Sequence, residues 1–394
     1  MAGPLDLLAD MFREYSDTQM PGDEGYLNLA QANHYTSNFL IGGKTQEEMI
    51  QTSQRIRRTL FLAAEDVGQR FGGAGVRVDY KNLQIGTEVT AQMSFYLSHI
   101  GWSELEEDFG EMANYKPEAI RVKFNDIIKG KHQNMHQACA DVFEAEKWAP
   151  ANQADMRTNY MKPMSIPYFV TEQDDELPLE ADGSSMTDVL GLSPATHAAW
   201  KNGRYTYGAL GGAATDGDDL LGGLTDAAIG MHWEPLHIAP EFGVMESAPN
   251  VVFCSNTGLK YCQAALRAGQ DRWGRPELGN ARGLVIGDMM IRNVSALNGA
   301  LLYEPTGGGA LVDETTGSTG GVGGTGITGP RFYGVTKKVF QPVYMKGRYM
   351  APGKPTDLTQ IGAPIDNVQV FKTYNQLVCW DRSKQFILSP SATL

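Results

Sequence analysis

Between Pro117 and Lys147 the chain carries no further proline and a single glycine, Gly130, and this stretch constrains the fold more than any other. Ile120, Phe124, Ile127 and Ile128 recur at i, i+4, i+7 and i+8, and Met135, Cys139, Val142 and Phe143 continue the stripe with some drift. That period predicts one amphipathic helix, with Pro117 near the first turn, where its missing N–H is tolerated. At 1.5 Å per residue it would span roughly 40 Å, more than twice the usual length of a globular helix. Such a rod would act as a girder.

The flanks read differently. Forty-five glycines, 19 prolines and 17 methionines in 394 residues favour loops and extended excursions over a helical bundle. Residues 1–40 show no sustained period and read as a polar arm. Thr45-Gln46-Glu47-Glu48 has the form of a capping box and predicts a helix to about Asp66, basic at Arg55, Arg57 and Arg58. After the break at Gly72–Gly75, Val76 to Tyr80 alternates with the strand period, and Glu88 to Ile100 is a second extended stretch. The pair predicts a long two-stranded hairpin. A ribbon of that kind is marginal alone in water, so it must lie against something else, such as another subunit.

Farther along, Tyr168-Phe169-Val170 starts as strand and passes into an acidic loop at Asp174, Asp175 and Glu176. Asp218 to Met231 predicts a helix that Pro235 must end. Val251 to Cys254 is a buried strand feeding a helix over Thr257 to Ala268, and Gly283 to Val294 gives two short strands around Gly287-Asp288. Gly307 to Gly329 is Gly/Thr/Ser-rich and cannot build a core, so it is expected as a surface loop or disordered. Phe332 to Val335, Val339 to Tyr344, Val368 to Phe371 and Leu377 to Trp380 read as strands closing the sheet opened earlier. The fold class is α+β.

Several function classes are disfavoured. With 42% apolar side chains the chain can bury a large core. No run reaches the roughly 18–20 apolar residues needed to cross a bilayer, and Met1–Asp10 lacks the basic start of an export signal, so neither membrane insertion nor export is expected. Cys139, Cys254, Cys262 and Cys379 lack C-x-x-C spacing and suit free thiols. Forty-six acidic against 33 basic side chains give a net charge of -13, a field that repels nucleic acid.

Chemistry has few footholds. Gly307-Gly308-Gly309 is not followed by the Lys-Ser/Thr of a phosphate loop. His132 and His136, at i and i+4, could face one metal, but no glutamate stands between them and they read as polar surface or interface histidines. His232-Trp233-Glu234 with His237 could supply two imidazoles and a carboxylate, yet packing is the preferred reading. Cys254 reads as an inert small hydrophobe, Ser255 and Ser295 lack a nucleophile elbow, and Asp174/Asp175 and Asp218/Asp219 read as solvated carboxylates. No catalytic, cofactor-binding or metal-binding residue is assigned, and no enzyme is expected.

Four blocks carry a resemblance. They are Leu192-Ser193-Pro194-Ala195-Thr196-His197-Ala198-Ala199-Trp200-Lys201-Asn202; Val251 to Leu259 with Gln263 to Arg267, followed by Gly283 to Leu297; Gly329 to Tyr333 with Phe340 to Tyr344; and Thr373 to Lys384. In that order, over roughly residues 45–390, the chain resembles a tailed-bacteriophage major capsid protein of the Hong Kong 97-type fold. The resemblance implies an N-terminal arm with the first helix (1–70), an E-loop hairpin (71–112), and a peripheral domain (113–235) with its spine helix at 117–147. It further implies an axial domain (236–330) containing the Gly-rich loop 307–329, and closing strands of both domains (331–394).

The implied function is a structural subunit whose pentamers and hexamers form an icosahedral head around double-stranded DNA. The implied place is the virion, after assembly in the host cytoplasm. Expected partners are copies of the chain, possible scaffolding, portal and decoration proteins, and packaged DNA held without sequence-specific contacts; no cofactor and no membrane are expected. An acidic wall would let DNA be packed without sticking to it. The candidates for inter-subunit contact are Arg55, Arg57, Arg58, Arg77, Tyr80, Lys81, Glu104, Glu106, Glu107 and Asp108. With only about forty residues before the first helix, a separate scaffolding protein or none is expected. Deleting residues 76–98 is expected to leave a soluble subunit that cannot close shells. The alternatives are an encapsulin-like compartment shell, and an α/β enzyme with an unrecognised site.

Overall fold

A computed structural model describes residues 35–41, 49–60, 87–102, 117–172, 177–178, 186–207, 218–233, 250–270, 283–286, 289–298, 301–303, 311–313, 330–357 and 367–390. The described chain is α+β, with two six-stranded sheets. A short helix, α1, spans Tyr35–Ile41. The girder is the helix α2, Pro117–Lys147, whose 31 residues span about 46 Å.

The first sheet is organised on β15, Asn367–Cys379, a strand of 13 residues. Antiparallel to its C-terminal part runs β12, Phe340–Met345, in register from Phe340↔Cys379 to Tyr344↔Asn375. Antiparallel to its N-terminal part runs β4, Ser94–Trp102, from Ser94↔Asn375 to Trp102↔Asn367. Three two-residue strands complete the sheet: β1 Ile50–Gln51, β13 Ala351–Pro352 and β14 Thr356–Asp357. Gln369, Phe371 and Thr373 of β15 are buried while Lys372 between them is exposed, the period-two signature of a sheet covered on one face. The cover includes α2, whose Met135, Cys139 and Phe143 pack with Ile100, Trp102 and Phe371.

In the second sheet the strand order is β5 (Gly203–Tyr207), β16 (Phe386–Pro390), β11 (Phe332–Thr336), β6 (Asn250–Cys254), β8 (Met289–Asn293) and β7 (Gly283–Ile286). Every residue of β6, β11 and β16 is buried. The cause is cover on both faces. Helices α4 (Asp218–Gly230) and α5 (Asn256–Gln270) bring Leu220, Leu224, Ala227, Leu259 and Cys262 against one face, with Val252, Phe332 and Phe386. On the other, Val251, Phe253, Tyr333 and Ile387 join a core shared with Trp148 and with Phe340, Val343 and Leu377 of the first sheet. The close approach of β11 to β16 requires Gly334, because a Cβ there would collide with the Phe386 ring. The elements used below are completed by one short helix, α3 (Ile166–Phe169), and two ribbons: β2 (Arg55–Leu60) with β3 (Thr87–Gln92), and β9 (Leu301–Tyr303) with β10 (Leu311–Asp313).

Some expectations fail for physical reasons. The helix expected from Thr45 to Asp66 is not helical over 50–60, where β1 and β2 form instead. Ile56 and Leu60 are spaced i, i+4, which serves either period, and pairing with β3 decides for strand. The end of the arm is a buried helix, with Phe39, Leu40 and Ile41 in the core. Tyr168-Phe169-Val170 is not a strand, because the Ser165 hydroxyl accepts from Tyr168 N at 3.3 Å and Pro167 favours the first turn of α3. Leu311–Asp313, inside the glycine-rich stretch, is the strand β10 paired with β9. Residues 367–379 form one strand where two were expected, and the late strands serve two sheets, not one.

Glu88 to Ile100 is extended as expected, but it is no free ribbon: β3 pairs with β2, and β4 is embedded beside β15. Val76 to Tyr80, Thr45 to Glu48, Asp174 to Glu176, Pro235 and residues 314–329 lie outside the described residues. Deleting residues 76–98 therefore removes all of β3 and half of β4. The corrected expectation is an insoluble or unfolded chain, checked by gel filtration and circular dichroism, in place of a soluble subunit.

Candidate functional site

For a chain without an assigned reaction, the surfaces and interior ties that could serve assembly are the site. Arg55, Arg57 and Arg58 all lie exposed on β2. Ile56 and Leu60 turn inward with Val89 and Ala91 of β3, which fixes the ribbon to the core and leaves Arg55 and Arg57 on the outer face, while Arg58 is exposed on the same side of the strand as Ile56 and Leu60. Arg57 meets Glu88 across the ribbon at 3.7 Å, both side chains solvated, so the pair contributes little to stability. The Arg58 guanidinium lies 5.0 Å from the centre of the Trp380 ring. Arg77, Tyr80, Lys81, Glu104, Glu106, Glu107 and Asp108 lie outside the described residues.

Beneath this surface, buried charges tie distant segments together. Glu144, near the end of α2, accepts from Thr36 N at 3.0 Å and from Ser37 N and Oγ at 2.9 and 2.6 Å, so its carboxylate satisfies the first amides of α1. Lys147 donates to Ser37 Oγ at 2.6 Å and to the Phe143 carbonyl at 3.1 Å. Burial lowers the Lys147 pKa, and Glu144 opposes that by holding the ammonium charged. Trp148 Nε1 adds a bond to Thr36 Oγ1 at 2.9 Å. The result is a clasp between the arm's end and the girder.

A second tie centres on Arg382, which is 0% exposed. It donates to the Phe169 carbonyl at 2.7 Å, the Trp200 carbonyl at 3.1 Å and Asn202 Oδ1 at 2.9 Å. Asn202 in turn donates to the Thr171 carbonyl at 2.9 Å. Arg331 pairs with Glu172 at 2.6 Å, also largely buried.

His132 and His136 are not surface residues. They are 1% and 6% exposed, their ring centres stand 4.4 Å apart, and His132 lies edge-on to Phe371 at 5.2 Å. Burial lowers the His132 pKa to about 3, with a further push from His136, and that of His136 to about 4. Among the described residues no group of three or more metal-binding side chains comes together. Trp233 donates to the Lys384 carbonyl at 2.9 Å and packs on Phe386, His232 is exposed beside it, and Glu234 and His237 lie outside the described residues. All four cysteines are free and buried, and burial raises the Cys262 thiol to about 12. Ser255 Oγ accepts from Gly258 N at 3.2 Å, which caps α5. No helix of the described residues is long and apolar enough to cross a membrane.

No family model and no curated protein matches this sequence. Among solved structures the chain is similar to the cyanophage A-1(L) capsid asymmetric unit, with TM-score 0.46 and 9% identity over 91% of this chain and 92% of that one. It is similar to the bacteriophage PhiM1 mature capsid, with TM-score 0.45 and 10% identity over 86% and 82%. It is also similar to the capsid of an empty GTA particle, with TM-score 0.43 and 9% identity over 87% and 93%.

Sequence reasoning missed the buried ties. Glu144 and Lys147 stand at i, i+3 on a helix, a spacing typical of a solvated pair, and nothing local announces that α1 covers them. The outer side of β4 was missed as well. Phe95 and Leu97 are 41% and 52% exposed, and the Phe95 ring packs at a tilt against Tyr374 across the register, with ring centres 4.8 Å apart. The alternation of the strand from Ser94 to Trp102 was the available signal.

Proposed function

We propose that the chain is a structural shell subunit: a major capsid protein of the tailed-phage type on a Hong Kong 97-like fold, forming pentamers and hexamers of an icosahedral head around double-stranded DNA. The observation that carries this reading is that the resembling blocks are physically joined. Leu192 to Asn202 supplies Trp200 and Asn202, and Thr373 to Lys384 supplies the Arg382 that binds both. Val251 to Leu259 with Gln263 to Arg267 is β6 and α5, Gly283 to Leu297 contains β7 and β8, and Gly329 to Tyr333 enters β11, which pairs with β6. In this reading the first sheet with α2 belongs to the peripheral domain, joined by Ser94–Trp102 from the end of the E-loop range, and the second sheet with α4 and α5 to the axial domain, so that Gly203–Tyr207 and Asp218–Gly230, inside the range 113–235 expected as peripheral, go with the axial domain. Residues 1–70 form the arm and first elements, and 71–112 the E-loop. The subunit works without catalysis or cofactor; copies of itself, scaffolding, portal and decoration proteins are its partners in the host cytoplasm and the virion.

Electron microscopy of the purified chain, with an assay for nuclease-protected DNA in native particles, tests the reading. Closed particles with DNA support it. Particles holding protein cargo without DNA would instead indicate a compartment shell, and a small compact oligomer an enzyme.

The arginine ribbon gives a sharper expectation. Arg55, Arg57 and Arg58 are exposed, so reversing all three to glutamate should lower stability by no more than about 2 kcal/mol, through the lost Arg58–Trp380 contact and a glutamate facing Glu88, and leave the chain folded. Particle yield should nevertheless fall at least about tenfold, because the acidic chain loses a local positive patch for its neighbours. Normal particle yield from the folded variant would remove these residues from the interface.

A further inference from the structure

One extended stretch of chain serves two partners. As β3, Thr87–Gln92, it pairs with β2, and as β4, Ser94–Trp102, it pairs with β15, with the change at Met93. The last pair with β15 is Ser94↔Asn375. Continued by two residues, that register would set Gln92 opposite Leu377, but Gln92 pairs with Arg55 of β2 instead. Tyr374 N donates to the Arg348 carbonyl, on the side of β15 away from β4. The sense alternates along a strand, so Leu377 N points to the side that the departing strand vacates.

The Gln376 carboxamide fills that gap. Its Oε1 accepts from Leu377 N at 3.0 Å and from Met164 N at 2.6 Å, and its Nε2 donates to the Gln92 carbonyl at 2.7 Å. A peptide-like group is thus inserted between a donor on β15 and an acceptor on the departing strand, which the ladder would have joined directly. Gln376 is 2% exposed, so these bonds are made away from water, where they are costly to lose. Beside the joint, Ser94 Oγ donates to the Asn375 carbonyl at 2.8 Å. Farther out, Arg157 donates to the Thr90 carbonyl at 3.3 Å from a side chain held by Asp188 at 3.1 Å. Thr90 and Gln92 are two apart, so their carbonyls face the same edge of β3. The inward side chains Ile56, Leu60, Val89 and Ala91 hold the ribbon to the core by contacts without direction, which tolerate a tilt; hydrogen bonds along one edge do not.

We propose that Gln376 is a positioning residue: its carboxamide splits the β3–β4 stretch from β15 and fixes the angle at which the ribbon, with Arg55, Arg57 and Arg58, leaves the first sheet. The angle stands apart from the shell reading; its consequence, that assembly needs the arginines at that angle, rests on it. The test is the distance distribution between nitroxide labels on Thr59→Cys, in the ribbon, and Ala199→Cys, in the body, both exposed positions in a chain whose own cysteines are buried. Gln376→Leu keeps a side chain of similar size and removes all three bonds, so the distribution should widen at least about twofold. Particle yield should fall about tenfold, because a loosened ribbon must be ordered again on contact. Leu388→Ala, which destabilises the second sheet without touching the joint, should keep the wild-type width. A wild-type width in Gln376→Leu, or equal widening in Leu388→Ala, would overturn the positioning role. Widening with an unchanged particle yield would uphold the role and overturn its consequence for assembly. Failure of the wild-type chain to form particles would overturn the shell reading and leave the angle to the label distances. If Gln376→Leu does not fold, amide exchange on the wild type decides: Leu377 should be protected to within about tenfold of Val378, and faster exchange would overturn the inserted bond.

Discussion

Replacing Arg382 with methionine should destabilise the subunit by about 4 kcal/mol, the largest effect expected of any single substitution considered. The guanidinium is fully buried and serves three acceptors in two separate segments, the Phe169 carbonyl in one and the Trp200 carbonyl and Asn202 Oδ1 in the other. Methionine fills part of the volume but leaves those oxygens without this donor, away from water. Each lost bond to a charged donor costs on the order of 1.5–3 kcal/mol, less what the site recovers by relaxing. Arg382→Lys keeps the charge but reaches fewer acceptors, and should fall between. Urea unfolding at neutral pH measures both. A loss below about 1 kcal/mol for the methionine variant would show that Arg382 does not hold these segments together.

Acid should loosen the contact between α2 and the first sheet. His132 and His136 titrate near 6.5 when unfolded but at about 3 and about 4 when buried. The unfolded chain therefore binds more protons below pH 6.5, and the histidine contribution to stability, complete above that pH, is lost as the pH falls toward the folded values. Between pH 7.5 and pH 5 the loss is about 2 kcal/mol for each histidine. The double variant His132→Phe, His136→Leu should lack this component. Urea midpoints at the two pH values, wild type against variant, isolate it from the carboxylates common to both. Parallel pH profiles would contradict the burial of the pair.

Elements with a strong local pattern were legible in the sequence. The α2 stripe gave its helix at both ends, and the apolar run Val251 to Cys254 with the helix behind it gave β6 and α5. The two strands around Gly287-Asp288 were legible as β7 and β8. Partners were not legible. Nothing near Glu88 says that it faces Thr59, or near Ser94 that it faces Asn375, because those pairings span a long stretch of chain. Buried polar residues were missed, or in the case of His132 and His136 misread, for a related reason. Arg382, Glu144 and the two histidines have sequence surroundings suited to solvent, and become interior only when remote segments close over them. Of the contact candidates, Arg55, Arg57 and Arg58 lie exposed on a strand where a helix was expected.

The most direct test of the central claim, that this subunit is completed by copies of itself, is sedimentation velocity of the purified chain over a wide concentration range, with electron microscopy of the fast fraction. The account predicts species of five and six copies in exchange with closed particles. A single compact one-chain species at the highest concentration would contradict it.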